Sequence, residues 1–88
     1  MYNAKSQYLE AEKLEELVNA LEERIRSVWN YHLSKHNTMY ASYVMEDLIP
    51  IKAMNRDIKA GFGMYTKEFD LLDDMCERYG FYVLDEVA

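Results

Sequence analysis

His32 and His36 stand four residues apart in His32-Leu33-Ser34-Lys35-His36. At that spacing one helix face can offer two imidazoles to a metal ion, although a complete site needs a third ligand and outer groups that orient the first two. The residue after His32 is Leu33, where a helical zinc-protease pattern would carry glutamate. His32 also falls on an apolar stripe and His36 in a polar segment, so packing and solvent are the expected fates of the two rings. No metal and no cofactor are expected. Cys76, the single cysteine, sits beside Met75 in another apolar stripe, with Asp73, Asp74 and Glu77 close by in sequence. A reactive thiol needs an electropositive, partly open setting, so Cys76 reads as a core residue. One cysteine excludes an intrachain disulfide and suits a reducing compartment, which points to the cytoplasm.

Asp70, Asp73, Asp74 and Glu77 recur at spacings of three and four. Paired carboxylates can transfer protons in a cleft, but beside an apolar helix stripe they more often form a solvated face. A third use is imitation of nucleic acid, whose duplex form carries one charge per about 1.7 Å of axis. On that reading Asp70, Asp73, Asp74, Glu77, Asp85 and Glu86, with Tyr82 among them, form a partner-binding surface for a basic groove. Lys52, Arg56 and Lys59 make a basic stripe at i, i+4 and i+7, suited to the acidic segment of this chain or of a second copy. Eight tyrosines and Trp29 are many for 88 residues. Tyrosine and tryptophan favour protein interfaces, and Tyr40 and Tyr43 flank one segment while Tyr79, Phe81 and Tyr82 cluster near the end. Gly61-Phe62-Gly63 lacks the third glycine and the lysine of a phosphate loop. With no Ser–His–Asp pattern either, the expectation is that the protein is not an enzyme.

The elements that must position these residues follow from periodicity. The fold expected is mainly α, a small helical bundle in one domain over residues 1–88. Residues 4–36 read as one long amphipathic, coiled-coil-like helix. Its stripe is Ala11, Leu14, Val18, Leu21, Ile25, Val28 and His32, widened by Leu17, Trp29 and Leu33. Such a helix would be about 50 Å long, against a domain diameter of roughly 30 Å. The overshoot predicts a homodimer, with Leu14, Val18, Leu21, Ile25, Val28 and Trp29 at its interface. Residues 39–60 are expected as two short helices broken at Pro50, the first capped by Thr38. Thr66 is expected to cap an acidic helix over 66–79, followed by the stop Gly80 and an extended tail over 81–85 that could add a short β element.

Leu72-Asp73-Asp74-Met75-Cys76-Glu77-Arg78-Tyr79-Gly80-Phe81-Tyr82-Val83-Leu84-Asp85-Glu86 is similar to a helix–glycine–strand segment in the barrel of β-galactosidase-type glycoside hydrolases. With the few residues before it, the likeness covers about a fifth of the chain, whereas a whole barrel takes roughly 250 residues. It implies local form and not the activity.

Charge separates along the chain. Of the net −6, the first 36 residues carry five basic and six acidic groups, and the last 25 carry two basic and seven acidic ones. That balance argues against direct nucleic-acid binding. No apolar run is long enough to span a membrane. The function expected is therefore that of a non-enzymatic, protein-binding regulator or inhibitor. In size and acidity the chain resembles small host-factor inhibitors encoded by phages and mobile elements, some of which occlude nucleic-acid-binding sites. The alternative is a structural or assembly module acting through helix-mediated homo-oligomerisation.

Overall fold

The apolar stripe of the first segment does form a helix, but a shorter one than its pattern predicts. In a computed structural model of the chain, which describes residues 5–81, α1 runs Ala11–Ser34. Upstream, Lys5–Tyr8 is a separate 3₁₀ turn, and Glu10 is extended at φ −65° and ψ 155°. The cause is tertiary. Ser6 is wholly buried, and its N–H donates to Asp73 Oδ1 at 3.1 Å near the other end of the chain. That turn is held elsewhere and cannot continue the line of α1.

At the other end His36 adopts a left-handed φ of 59°. Asn37 N–H donates to the carbonyl of His32 at 2.8 Å, and His36 N–H to that of Leu33 at 3.1 Å. This pair of bonds is the Schellman closure that satisfies the last carbonyls of a helix. It puts His36 outside the helix, so the two histidines do not share a helical face.

α2 then runs Thr38–Lys59 without interruption, with Pro50 inside it. The break expected at Pro50 is therefore corrected. Val44, Leu48, Ile51, Asn55 and Ile58 continue in steps of four and three across the proline, so one helix keeps the whole stripe on α1 and two helices would not. Proline removes one ladder bond, to the carbonyl of Glu46. Glu46 is exposed, so water can replace that donor. Thr38 is the first helical residue, and the cap position falls to Asn37.

α1 and α2 are joined by three residues and run antiparallel. Asn55 Nδ2 donates to Asn19 Oδ1 at 2.8 Å and to Glu22 Oε1 at 2.9 Å, which pins their relative position near the open end. At 1.5 Å per residue α1 is about 36 Å long and α2 about 33 Å. The longest dimension of the described residues is 41 Å. Helix and domain match, so the overshoot that called for a dimer is absent.

α3 spans Thr66–Arg78, led in by Tyr65, whose N–H donates to Glu68 Oε1 at 3.1 Å. The cap lies one residue before the expected Thr66. The core joins Val18, Leu21 and Ile25 of α1, Val44, Leu48, Ile51 and Met54 of α2, and Leu72, Met75 and Cys76 of α3. Gly80 ends α3 at φ 79°, with Phe81 N–H donating to the carbonyl of Cys76 at 2.7 Å. No strand occurs among the described residues, and the expected tail over 81–85 lies outside them apart from Phe81.

Two outcomes follow. His36→Gly should raise stability by about 0.5–1 kcal/mol, since a left-handed conformation strains any side chain bearing a Cβ. Thermal unfolding should shift up by several degrees, and an unchanged Tm would refute the strain. Burial alone would raise the pKa of Glu22, but its bonds to Asn55 and Arg26 and the nearby Lys52 outweigh it and hold the pKa below 4.5. A lowered folded pKa means that this contribution is present above the unfolded value and lost as pH falls through the folded one. Glu22→Gln should therefore flatten the acid limb of stability against pH in chemical denaturation series.

Candidate binding surface

The closed end of the helical hairpin gathers aromatic side chains. Tyr31 and His32 belong to the last turns of α1, and Tyr40 and Tyr43 to the first turns of α2. The three-residue link folds these turns against one another. His32 stacks on Tyr40 with ring centroids 5.5 Å apart and planes at 27°. Tyr31 meets His32 edge-on at 5.5 Å, and Tyr43 meets Tyr40 edge-on at 6.4 Å. These are the offset and T-shaped arrangements that aromatic quadrupoles favour.

Four rings thus form a continuous chain, and the tyrosines in it stay in water. Tyr31 is 58%, Tyr40 54% and Tyr43 56% exposed, and Met39 beside them is 59% exposed. The reason lies in where α3 docks. Arg24 Nη1 donates to the carbonyl of Tyr79 at 3.0 Å and lies 4.7 Å over the ring of Phe81. Asp47 accepts from Arg78 at 2.9 Å and from the hydroxyl of Tyr79 at 2.6 Å. These attachments lie one turn short of Tyr43 on α2 and two turns short of Tyr31 on α1.

The electrostatics of this end differ from the rest of the chain. From Arg24 to Met45 there is no aspartate or glutamate, in a protein of net charge −6. Arg26 is paired with Glu22 at 2.6 Å and Arg24 is committed to α3. Lys35 remains beside the rings, its Nζ 5.9 Å from the centroid of Tyr31. His32 Nδ1 is buried and meets no hydrogen-bond partner among the described residues.

The acidic ladder is divided by the fold. Asp73 is buried and accepts from Ser6 N–H, while Ser6 Oγ donates to the carbonyl of Phe69 at 3.3 Å. Its carboxylate thus docks the N-terminal turn onto α3 and is not open to a partner. Asp70 is half-buried, and its Oδ1 has no partner among the described residues. Asp74 and Glu77 are exposed as expected. Tyr82, Asp85 and Glu86 lie outside the described residues. Cys76 is buried, and burial, then Asp73, pushes its thiol up to about 12, which makes it an inert core residue. Burial and the bond to Asp47 raise the hydroxyl of Tyr79 above the usual tyrosine range.

Of the residues assigned to an oligomer interface, Val18, Leu21 and Ile25 are fully buried in the chain's own core. Leu14, Val28 and Trp29 are partly buried and pack against that core. The centre of the stripe is covered from within, by α2 and α3. Among the described residues no group of three or more His, Cys, Asp or Glu could hold a metal ion, in keeping with the separation of His32 from His36. Nor is any described helix long and apolar enough to cross a membrane. Lys52, Arg56 and Lys59 are all exposed on α2, and Arg56 pairs with its neighbour Asp57 at 3.3 Å.

Sequence reasoning placed Tyr40 and Tyr43 at an interface but left Tyr31, His32 and Met39 out of it. The usable signal was the long acid-free interval from Arg24 to Met45. Comparison with protein-family models, curated proteins and solved structures finds no match for the chain.

Asp73→Ala should cost about 1–3 kcal/mol, because the buried amide of Ser6 loses its acceptor. Hydrogen exchange at Ser6 should speed up with it. Asp74→Ala should change stability by no more than about 0.5 kcal/mol, as an exposed residue away from the core. Equal effects of the two would overturn the division of the ladder.

Proposed function

We propose that this protein is a non-enzymatic binding module that engages another protein through the aromatic end of its α1–α2 hairpin. One observation carries the reading: Tyr31, His32, Tyr40 and Tyr43 form a connected ring chain whose three tyrosines are each more than half exposed. Leaving such a surface in water forgoes burial worth roughly 25 cal/mol per Å² of apolar area. Clustered exposed apolar surface of this kind marks interaction sites, and tyrosine is enriched at their centres. The rings are already ordered by stacking and by helix backbone, so little side-chain freedom is lost on binding.

A second reading keeps the acidic face as the partner surface of a regulator or inhibitor. It is favoured by the exposure of Asp74 and Glu77 and weakened by the internal role of Asp73.

Affinity capture from the native cell separates the two. Tyr40→Ser with Tyr43→Ser should lower the recovered partner by about tenfold, a loss of roughly 1.4 kcal/mol. Asp74→Lys with Glu77→Lys should leave recovery unchanged. The reverse pattern would transfer the function to the acidic face.

A further inference from the structure

Resting on that reading, we infer that the protein met by the aromatic end is a second copy of this chain, related to the first by a two-fold axis that sets Lys35 of each copy against Glu46 of the other. The chain of rings has a direction. It runs Tyr31, His32, Tyr40, Tyr43, from α1 across to α2. Lys35 stands at its first end, exposed, with Nζ 5.9 Å from the centroid of Tyr31. Glu46 stands beyond its last end, one turn along α2 from Tyr43. It is exposed and has no ion-pair partner among the described residues, whereas Asp47 beside it is committed to Arg78 and Tyr79. The row of rings therefore ends in unlike charges.

A two-fold contact sets one patch against its own image, so the patch must complement itself. Turning the row end for end achieves this. Tyr31 of one copy comes over Tyr43 of the other, and Lys35 over Glu46, twice in each dimer. A wholly acidic or wholly basic partner would meet one end of the row and oppose the other. The area agrees. Three tyrosines and Met39, each more than half exposed, offer on the order of 100 Å² apiece, hence roughly 400 Å². A standard interface takes about 800 Å² from each copy, a little over half of it apolar. Lys35, Glu46 and the tyrosine hydroxyls supply part of the polar remainder. A chain of 88 residues has little core of its own, and covering these rings in a dimer recovers apolar burial. The contact is separate from the stripe of α1, whose centre at Val18, Leu21 and Ile25 is already buried.

The test is sedimentation equilibrium of the full chain at concentrations up to about 1 mM. The mass should rise from 10.5 kDa towards twice that value. Tyr40→Ser with Tyr43→Ser should weaken the dimer at least about tenfold. Lys35→Glu and Glu46→Lys should each weaken it about tenfold, by setting like charges together at two places. An equimolar mixture of these two variants should regain wild-type affinity within about threefold, because each finds the opposite charge on the other. Circular dichroism and Tm should show every variant folded, since all four positions are exposed. A monomer throughout, a dimer indifferent to Tyr40 and Tyr43, or a mixture no tighter than its components would each overturn the inference. Capture from the native cell should recover an untagged copy of this chain through Tyr40 and Tyr43. If a monomeric chain instead recovers a different protein through the same tyrosines, the second-copy inference fails and the binding surface stands.

Discussion

The structure depends on α2 lying unbroken along α1. Val18, Leu21 and Ile25 lose all contact with water because a helix of nearly equal length runs antiparallel beside them. Had α2 turned aside at Pro50, Ile51, Met54 and Ile58 would have left the line of Val44 and Leu48, and half the stripe on α1 would lie open. The missing proline N–H costs one hydrogen bond, and burial of the continuous stripe outweighs it. The connection between the helices serves the same end. Its closure at His36 turns the chain back within three residues, tightly enough for His32 to stack on Tyr40.

Polar groups then set position within the apolar frame. Asn55 reaches Asn19 and Glu22 across the hairpin, Asp47 and Arg24 receive the end of α3, and Asp73 receives the N-terminal turn. The Asp73 bond serves a buried backbone amide, the Asn55 bonds and the Tyr79 hydroxyl bond serve part-buried groups, and those of Arg24 and Arg78 lie at the surface. Hydrogen bonds of this kind add modestly to net stability but are costly to leave unmade, so they select one arrangement among several of similar hydrophobic burial. Asp73 and Asp74 show how far position governs role. They are the same residue type one step apart, and one is an internal acceptor while the other is solvated.

The proposed functional end is what that arrangement leaves over. α3 covers the hairpin around Arg24 and Asp47 and stops there, so rings that a longer third helix would bury remain at the surface. In a chain of 88 residues, which has little core to spare, several exposed tyrosines represent apolar surface withheld from folding. Their ordered stacking gives that surface a defined shape.

Local pattern was enough for the helical class, for the stripes of α1 and α3, for Gly80 as a stop and for Cys76 as a core residue. Each depends on neighbours within one or two turns, which the chain order supplies directly. Local pattern misjudged Pro50 and the start of α1, and it did not show that α2 and α3 cover the centre of the stripe, because proline and amphipathicity state a preference without saying what lies opposite. Which helix covers Leu21, which carboxylate receives Ser6, and whether Tyr31, His32, Tyr40 and Tyr43 form one chain of rings are questions of contact between distant segments. The tertiary structure alone decided them, since burial and hydrogen bonding across the hairpin outweigh the fractions of a kcal/mol by which single residues prefer one local conformation over another.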